Sequence, residues 1–293
     1  MTSVGRRPSS VRIDELLAAG PTRSFEFMPP KTVEESADLA ASLEDIQPLQ
    51  PSFVSVTYRG GRESRQRTYD LVNQIERDGY VTAMAHVICV GHTRAEMRDL
   101  LKNYTDAGVV NIMALGGDRP NDAFGAASEF DYAIDLVELT REVGDFSIGV
   151  AAHPNGHPRS PDRRSDRRFL AEKLAMADFA VTQFFFESSD WTRLVEELAE
   201  LGVTKPVLPG IMPVTTISGI ERMRVMGGPV PDSLAQRLTA AHQRGGASEV
   251  RAEGIRAAIT LCQELIEANA PGLHFYTLNR STTTSEIYHA LFS

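Results

Sequence analysis

Short apolar runs rich in β-branched and aromatic residues recur along the chain, and segments with apolar residues three and four apart lie between them. The runs predict eight strands: Ser24–Phe27, Phe53–Tyr58, Val81–Val90, Val109–Leu115, Ser147–Ala152, Phe179–Phe186, Pro206–Ile211 and Leu273–Leu278. The intervening spacing predicts helices, among them Tyr69–Arg77, Arg94–Ala107, Tyr132–Val143, Trp191–Leu201, Thr216–Met226, Asp232–Arg244 and Ala247–Ala268. Several strand runs are almost continuously apolar, as is typical of parallel strands covered on both faces.

The spacing of the strands favours one large α/β unit. The first seven strands start at residues 24, 53, 81, 109, 147, 179 and 206, so that each interval holds one strand and one helix. Eight such units in about 250 residues predict a single (β/α)8 TIM barrel over residues 21–293, preceded by a partly flexible lead-in over residues 1–20. A doubly wound open sheet is the alternative, but no strand is followed by GxGxxG or GxxxxGK[ST].

Composition and charge narrow the class of protein. The 293 residues are 42% hydrophobic and 24% charged, as in ordinary globular proteins, and no apolar run approaches the roughly 20 residues that span a membrane. The net charge of −9 disfavours nucleic acid as a partner. Two isolated cysteines, Cys89 and Cys262, and the absence of a secretory signal pattern predict a cytoplasmic protein. The sequence leaves the oligomeric state open, a homo-oligomer included.

Glu26 is the first candidate for chemistry. In Phe25-Glu26-Phe27-Met28-Pro29-Pro30, strand alternation turns the two phenylalanines toward the helices and Glu26 toward the barrel lumen. Catalytic groups of such barrels lie at the carboxyl ends of the strands. Burial is expected to raise the pKa of this carboxyl, which suits a general acid, whereas pairing with a lysine or arginine of another strand is an equally weighted structural interpretation.

Further polar residues occupy comparable positions. Gln183 is an amide in an apolar strand and suits a heterocycle with paired donors and acceptors. Asp118 follows Gly116-Gly117, where the backbone can approach a flat ligand; the alternative interpretation is a turn or helix-capping residue. Thr57 lies two positions after Ser55, so strand alternation turns both side chains toward the barrel lumen. His86 is a candidate lumen histidine, although a lone histidine in such a strand is more often a hydrogen-bonded core residue.

The loop after the fifth strand carries two histidines and several arginines. Prolines at 154 and 158 prevent His153 and His157 from sharing a helix face, so no metal site is predicted. Two arginine clusters follow strands, and they suit either a phosphate-bearing ligand or a solvated loop with Asp162 and Asp166 as counter-charges: Arg59, Arg62, Arg65 and Arg67, and then Arg159, Arg163, Arg164, Arg167 and Arg168.

Seven runs together resemble the methylenetetrahydrofolate reductase family in order and spacing: SFEFMPPK (24–31), FVSVTY (53–58), AHVICVGHTRAE (85–96), NIMALGGD (111–118), TQFFFE (182–187), PVLPGIMPV (206–214) and LHFYTLNRS (273–281). The resemblance runs from about residue 22 to the end. It implies a barrel of the short bacterial form, without the adenosylmethionine-responsive regulatory domain. It also implies reduction of 5,10-methylenetetrahydrofolate to 5-methyltetrahydrofolate, with Glu26 protonating N10 so that the bridging ring opens to a 5-iminium ion that accepts a hydride.

The resemblance also assigns binding residues. Asp118 and Gln183 match positions that contact the pterin and act with Glu26, and Arg280 matches a folate contact. The positions implied for cofactor binding are Thr57, Tyr58, His86, Gly117, His153, His157, Asp166 and Lys173, and among them His86, Asp166 and Lys173 match flavin-site positions of the family.

Departures from the family pattern cluster at the flavin site. Gly116 stands where the family has a flavin-binding arginine, His153 where it has a tyrosine, and Phe169 where it has an asparagine. The family's aromatic and glutamine positions after the seventh strand fall on Met223 and Gly219. Loss of several charge-assisted hydrogen bonds at roughly 1.5–3 kcal/mol each weakens FAD binding.

The sequence therefore favours direct hydride transfer from NADH, with NADPH as an alternative donor, over the usual transfer through FAD. A pterin-dependent methyltransferase barrel and a non-catalytic folate-binding relative are the remaining hypotheses. The methyltransferase would transfer its methyl group without consuming nicotinamide.

Overall fold

The computed structural model describes residues 10–58, 62–117 and 128–293 of the chain. Its strands are β1 (Thr22–Phe27), β2 (Phe53–Val56), β3 (Thr82–Ile88), β4 (Asn111–Leu115), β5 (Ser147–Ala152), β6 (Phe179–Thr182), β7 (Val207–Leu208), β8 (Gly210–Ile211) and β9 (Gly272–Tyr276). Its helices are α1 (Ile13–Ala19), α2 (Val33–Ile46), α3 (Arg62–Asp78), α4 (Arg94–Asp106), α5 (Ala133–Val143), α6 (Arg163–Met176), α7 (Ser188–Glu200), α8 (Ile217–Val225), α9 (Asp232–Glu267) and α10 (Ser281–Phe292), with a 3₁₀ turn at Gln47–Leu49.

All strand pairs are parallel, in the order β7-β6-β5-β4-β3-β2-β1-β9-β8. The predicted seventh strand is present as two short pieces on either side of Pro209, because proline has no N–H to donate to a ladder. Its first piece pairs with β6 and its second with β9, which brings the two ends of the sheet together. The predicted (β/α)8 barrel is confirmed.

Helices α2 and α4 each begin after a threonine whose side chain caps the helix. Thr32 accepts a hydrogen bond from the backbone of Glu35 at the start of α2, and Thr93 with Glu96 forms a reciprocal capping box on α4. The predicted break between residues 244 and 247 is a kink inside α9, where Gly246 has φ 67°, a backbone region open mainly to glycine.

Apolar layers pack against both faces of the strands. The larger layer lies between the strands and the helices, and the smaller one fills the lumen with side chains such as Phe53, Met84 and Phe179. Helix α1 covers one end of this inner layer with Ile13, whose backbone N–H donates to the side chain of Asn111. The predicted division of the chain at residue 20 stays a prediction.

No helix within residues 10–58, 62–117 and 128–293 is long and apolar enough to cross a membrane.

Candidate active site

Glu26 lies near the carboxyl end of β1 with its side chain in the lumen, as strand alternation predicts, and the side chain is 17% exposed. Its Oε2 lies 3.3 Å from His86 Nε2, 3.5 Å from His274 Nε2 and 3.3 Å from the Ser55 hydroxyl, which donates to it. The predicted lysine or arginine partner is replaced by two histidines, from β3 and β9. Glu26 and His274 are 248 positions apart in sequence, and they meet because β1 and β9 are neighbouring strands of the barrel.

The surroundings of Glu26 change its expected ionisation. Burial raises the pKa of this carboxyl, but His86, His274 and the Ser55 hydroxyl outweigh burial, and the pKa lies below its ordinary value. The expectation of a raised pKa is therefore wrong for the protein without its ligands. Burial lowers the pKa of His86 even though Glu26 opposes the shift, and His274 adds to the lowering.

The sequence reasoning missed His274 and Tyr276. Both share the inward parity of Glu26 on adjacent strands, which was the available signal. His274 is fully buried, and Tyr276 donates its hydroxyl to the Thr182 carbonyl at 2.7 Å. Burial, with Glu26 nearby, raises the pKa of Tyr276 well above its ordinary range.

The remaining folate-site candidates lie around the same end of the barrel. Gln183 directly follows β6 and is half-buried; its amide donates to the Met226 carbonyl and its oxygen accepts from the Phe184 backbone. These two contacts orient the amide and leave its second N–H and the second lone pair of its oxygen for a ligand. Arg280 is exposed at the start of α10. Asp118 lies outside the described residues.

Thr57 and Tyr58 follow β2 with opposite parity. Thr57 is half-buried on the side of Ser55, and its carbonyl accepts from Thr68. Tyr58 is buried, with its hydroxyl 3.1 Å from His92 Nε2, and burial raises its pKa. The two residues therefore face different neighbours.

Gly117 closes the strand end after β4 and needs to be glycine. Its φ is +84°, and an added Cβ would lie 2.3 Å from Ile88 Cγ2 and 2.7 Å from Val90 Cγ1. Gly116 differs, since an added Cβ there would meet only ordinary contacts, the nearest at 3.5 Å.

The loop after β5 and the start of α6 are tied together by internal charge pairs. Asp166 accepts from the His157 backbone, the Ser160 hydroxyl and Arg167, so both of its carboxylate oxygens have partners. Arg167 is 2% exposed and also donates to Glu197 and to the carbonyls of His153 and Pro154. Glu197, on α7, is a counter-charge that the sequence reasoning did not identify; it also pairs with Arg163.

Two half-buried bases, His153 and Lys173, complete this region. Burial is the largest cause that lowers the pKa of His153 to about 4, and the neighbouring His157 is the second. The two imidazole rings meet edge to face with their centroids 4.6 Å apart. Burial lowers the pKa of Lys173 to about 8, opposed by Asp166, and its ammonium donates to the Ala151 carbonyl at 3.0 Å. Within the described part of the chain, no group of three His, Cys, Asp or Glu side chains can hold a metal ion.

The pKa of His153 predicts a loss of stability in acid. Between pH 6.5 and about 4 the unfolded chain protonates this imidazole while the folded chain does not, so the free energy of unfolding falls as the pH falls through this window. The full effect is about 3 kcal/mol. Urea unfolding across this range should show a shallower decline for His153→Gln than for the natural protein. His289→Gln, an exposed control, should keep the natural slope; equal slopes for all three proteins would contradict the prediction.

The chain is similar to known proteins over almost its whole length. Residues 12–292 match the family described as methylenetetrahydrofolate reductase. The chain is 33% identical over 270 residues to 5,10-methylenetetrahydrofolate reductase of Escherichia coli K12, covering 92% of this chain and 90% of that protein. The corresponding enzyme of Pectobacterium carotovorum is 32% identical, with 92% and 89% covered.

A rice relative named probable methylenetetrahydrofolate reductase (NADH) is 31% identical over 286 residues, which cover 92% of this chain and 48% of that protein. Among solved structures, a Clostridium thermocellum protein that binds two copies of 5-methyl-5,6,7,8-tetrahydrofolic acid has a TM-score of 0.65 at 15% identity, covering 94% of this chain and 96% of that one. A 2,3-dimethylmalate lyase has a TM-score of 0.53 at 8% identity, with 95% and 84% covered. These two structures show the likeness of fold.

Proposed function

Because the chain belongs to the methylenetetrahydrofolate reductase family, we propose that it reduces 5,10-methylenetetrahydrofolate to 5-methyltetrahydrofolate with a hydride taken directly from NADH, without FAD. The observation that carries the reaction is Glu26, a lumen carboxyl at the carboxyl end of a barrel strand that remains 17% exposed. The name of the rice relative supports NADH as the donor.

In the proposed reaction Glu26 gives a proton to N10 of the folate, and the bond between N10 and the bridging carbon breaks. The resulting 5-iminium carbon then accepts the hydride that NADH supplies. Asp118, Gln183 and Arg280 bind the folate. The Met226 carbonyl holds one N–H of the Gln183 amide and orients the other for the ligand.

The residues proposed for cofactor binding are Thr57, Tyr58, His86, Gly117, His153, His157, Asp166 and Lys173, of which Thr57 is proposed to lie on the nicotinamide side. The proposed setting is the cytoplasm, supported by Cys89 and Cys262, which are free, buried thiols whose pKa values burial raises to about 12.

The described residues fit FAD poorly. Gly116 carries no side chain, and the polar groups of Asp166 and Lys173 already have partners within the protein. Phe169 presents a 46% exposed aromatic ring on α6, and Met223 is buried in an apolar cluster with Phe184 and Leu234. The side chains that would pair with a flavin are therefore missing at Gly116, Phe169 and Met223, which supports the flavin-free proposal.

The test is a visible spectrum of the purified protein followed by a turnover assay. We expect no flavin absorption after gel filtration, and folate-dependent NADH oxidation at the same rate with and without added FAD. Stoichiometric bound flavin, or a rate that depends strictly on FAD, would overturn the flavin-free proposal.

Gly116→Arg is the matched variant, because the position accepts a Cβ without a clash. It restores a guanidinium worth roughly 1.5–3 kcal/mol per charge-assisted bond, so we expect FAD to bind at least about tenfold more tightly than to the natural protein. Equal FAD affinity in the two proteins would show that Gly116 does not account for weak flavin binding.

A further inference from the structure

A groove lies at the mouth of the barrel, beside the ends of β5 and β6. Three segments line it: the loop after β5, with His153 and Asn155; Phe184–Phe186, shortly after β6; and the linker between α8 and α9 (226–231), with Pro229 and Pro231. The groove holds about 360 Å³ of empty space, counted to its open side. This space suits one flat ring rather than a whole dinucleotide or folate.

The linker that lines the groove is held in place by two contacts. The Met226 carbonyl accepts a hydrogen bond from the Gln183 amide at 3.1 Å. Gly228 packs so closely on the Phe184 ring that an added Cβ would overlap it. Two prolines then fix the backbone that follows. The apolar surface of the groove is therefore formed before a ligand enters.

The polar edge of the groove carries no net charge. The Asp190 carboxylate accepts from Arg193 at 2.7 Å and from the Asn155 amide at 3.1 Å, and Arg193 also donates to Asn155 Oδ1 at 3.0 Å. Burial lowers the pKa of His153 to about 4, so this imidazole is neutral at pH 7. A neutral ring therefore fits the groove better than a phosphate or a carboxylate does.

Asn155 keeps one hydrogen-bond donor for a ligand. Its amide has two N–H groups, and Asp190 accepts from one of them. Because Arg193 holds the amide oxygen at the same time, the orientation of the amide is fixed. Asn155 is exposed, so its second N–H is available to a ring nitrogen in the groove.

The place of the groove on the rim favours the cofactor over the folate as its occupant. Arg280, which is proposed to bind the folate, follows β9, whereas the groove adjoins β5 and β6. His153, which lines the groove, is one of the residues proposed for cofactor binding. Adenine is flat and uncharged, stacks on aromatic side chains, and has ring nitrogens that accept hydrogen bonds.

We propose that this groove binds the adenine ring of NADH and that Asn155 donates a hydrogen bond to one of the ring nitrogens. This inference rests on the proposed function. It assigns the nicotinamide and adenine halves of the cofactor to different parts of the rim, with the adenine between the loop after β5 and the linker between α8 and α9.

The first test compares NADH with reduced nicotinamide mononucleotide, which carries the same hydride but lacks the adenylate half. We expect kcat/KM of the natural protein to be about 10- to 100-fold higher for NADH, because stacking of a base contributes about this factor. Asn155→Ala should reduce the ratio between the two donors by about 3- to 10-fold, since one hydrogen bond to the base is lost. Gln263→Ala, at an exposed amide on α9, should keep the natural ratio.

The second test measures binding and needs no turnover. Ligand-observed NMR should show that adenosine binds the natural protein and that NADH displaces it, while reduced nicotinamide mononucleotide does not. Adenosine should bind about 3- to 10-fold more weakly to Asn155→Ala than to the natural protein.

The outcomes separate this inference from the proposed function. Equal kcat/KM for the two donors, a donor ratio that Asn155→Ala leaves at its natural value, or adenosine that does not bind would overturn the adenine site. Displacement of adenosine by reduced nicotinamide mononucleotide or by p-aminobenzoylglutamate would overturn it too, and would assign the groove to the nicotinamide or to the folate. If adenosine binds as expected but neither donor reduces the folate, the adenine site stands and the proposed reaction is wrong.

Discussion

Glu26→Gln should lower kcat for folate reduction by about 10²- to 10⁴-fold while the protein stays folded. Glutamine has the size of glutamate and can still accept from the Ser55 hydroxyl, but it has no proton to give to N10. Folate affinity should change by no more than a few-fold, since the lost interaction acts in the transition state. Steady-state kinetics, equilibrium folate binding and circular dichroism check the three statements.

Glu286→Gln is the matched control for the Glu26 variant. Its carboxyl pairs with Arg251 on the surface, where both side chains are exposed, so activity should match that of the natural protein. A Glu26→Gln protein that retains natural turnover would show that another group protonates the folate.

Arg167→Met should lower the free energy of unfolding by about 3–5 kcal/mol. The guanidinium is buried, and its removal leaves Glu197, Asp166 and the carbonyls of His153 and Pro154 without their shared donor. Because these carbonyls belong to the loop proposed for the nicotinamide cofactor, KM for NADH should rise as well. Urea unfolding measures the first effect and NADH saturation curves the second.

Arg163→Met separates burial from charge in this test. Arg163 pairs with the same Glu197, but its side chain is 38% exposed, so its loss should cost at most about 1 kcal/mol and leave KM for NADH near its natural value. Equal destabilisation by the two variants would mean that burial of Arg167 does not set its contribution.

Much of the fold follows from residue order. Apolar runs predicted the eight strand positions, and strand alternation predicted the inward direction of Glu26. Helical spacing predicted the start of α4 at Arg94 and the interruption of α9 after Arg244. The division of the seventh strand at Pro209 is also local, since the missing N–H is a property of that residue. These features depend on neighbours a few positions away, so a single sequence contains the information for them.

The site depends on residues that are distant in sequence, and there local patterns failed. Neither arginine cluster predicted Glu197, because a helix 30 residues beyond Arg167 provides that counter-charge. The isolated histidine at position 86 gave no sign that His274, on the neighbouring strand β9, lies against the same Glu26 carboxyl.

The sequence by itself determined the barrel, the family and the place of Glu26 at its mouth, because periodicity and motif order are properties of the chain. Only the tertiary structure decided the ionisation of that carboxyl. Its pKa balances burial against groups 3.3–3.5 Å away on β2, β3 and β9. Electrostatic interactions depend on distance in space, and barrel closure sets these distances.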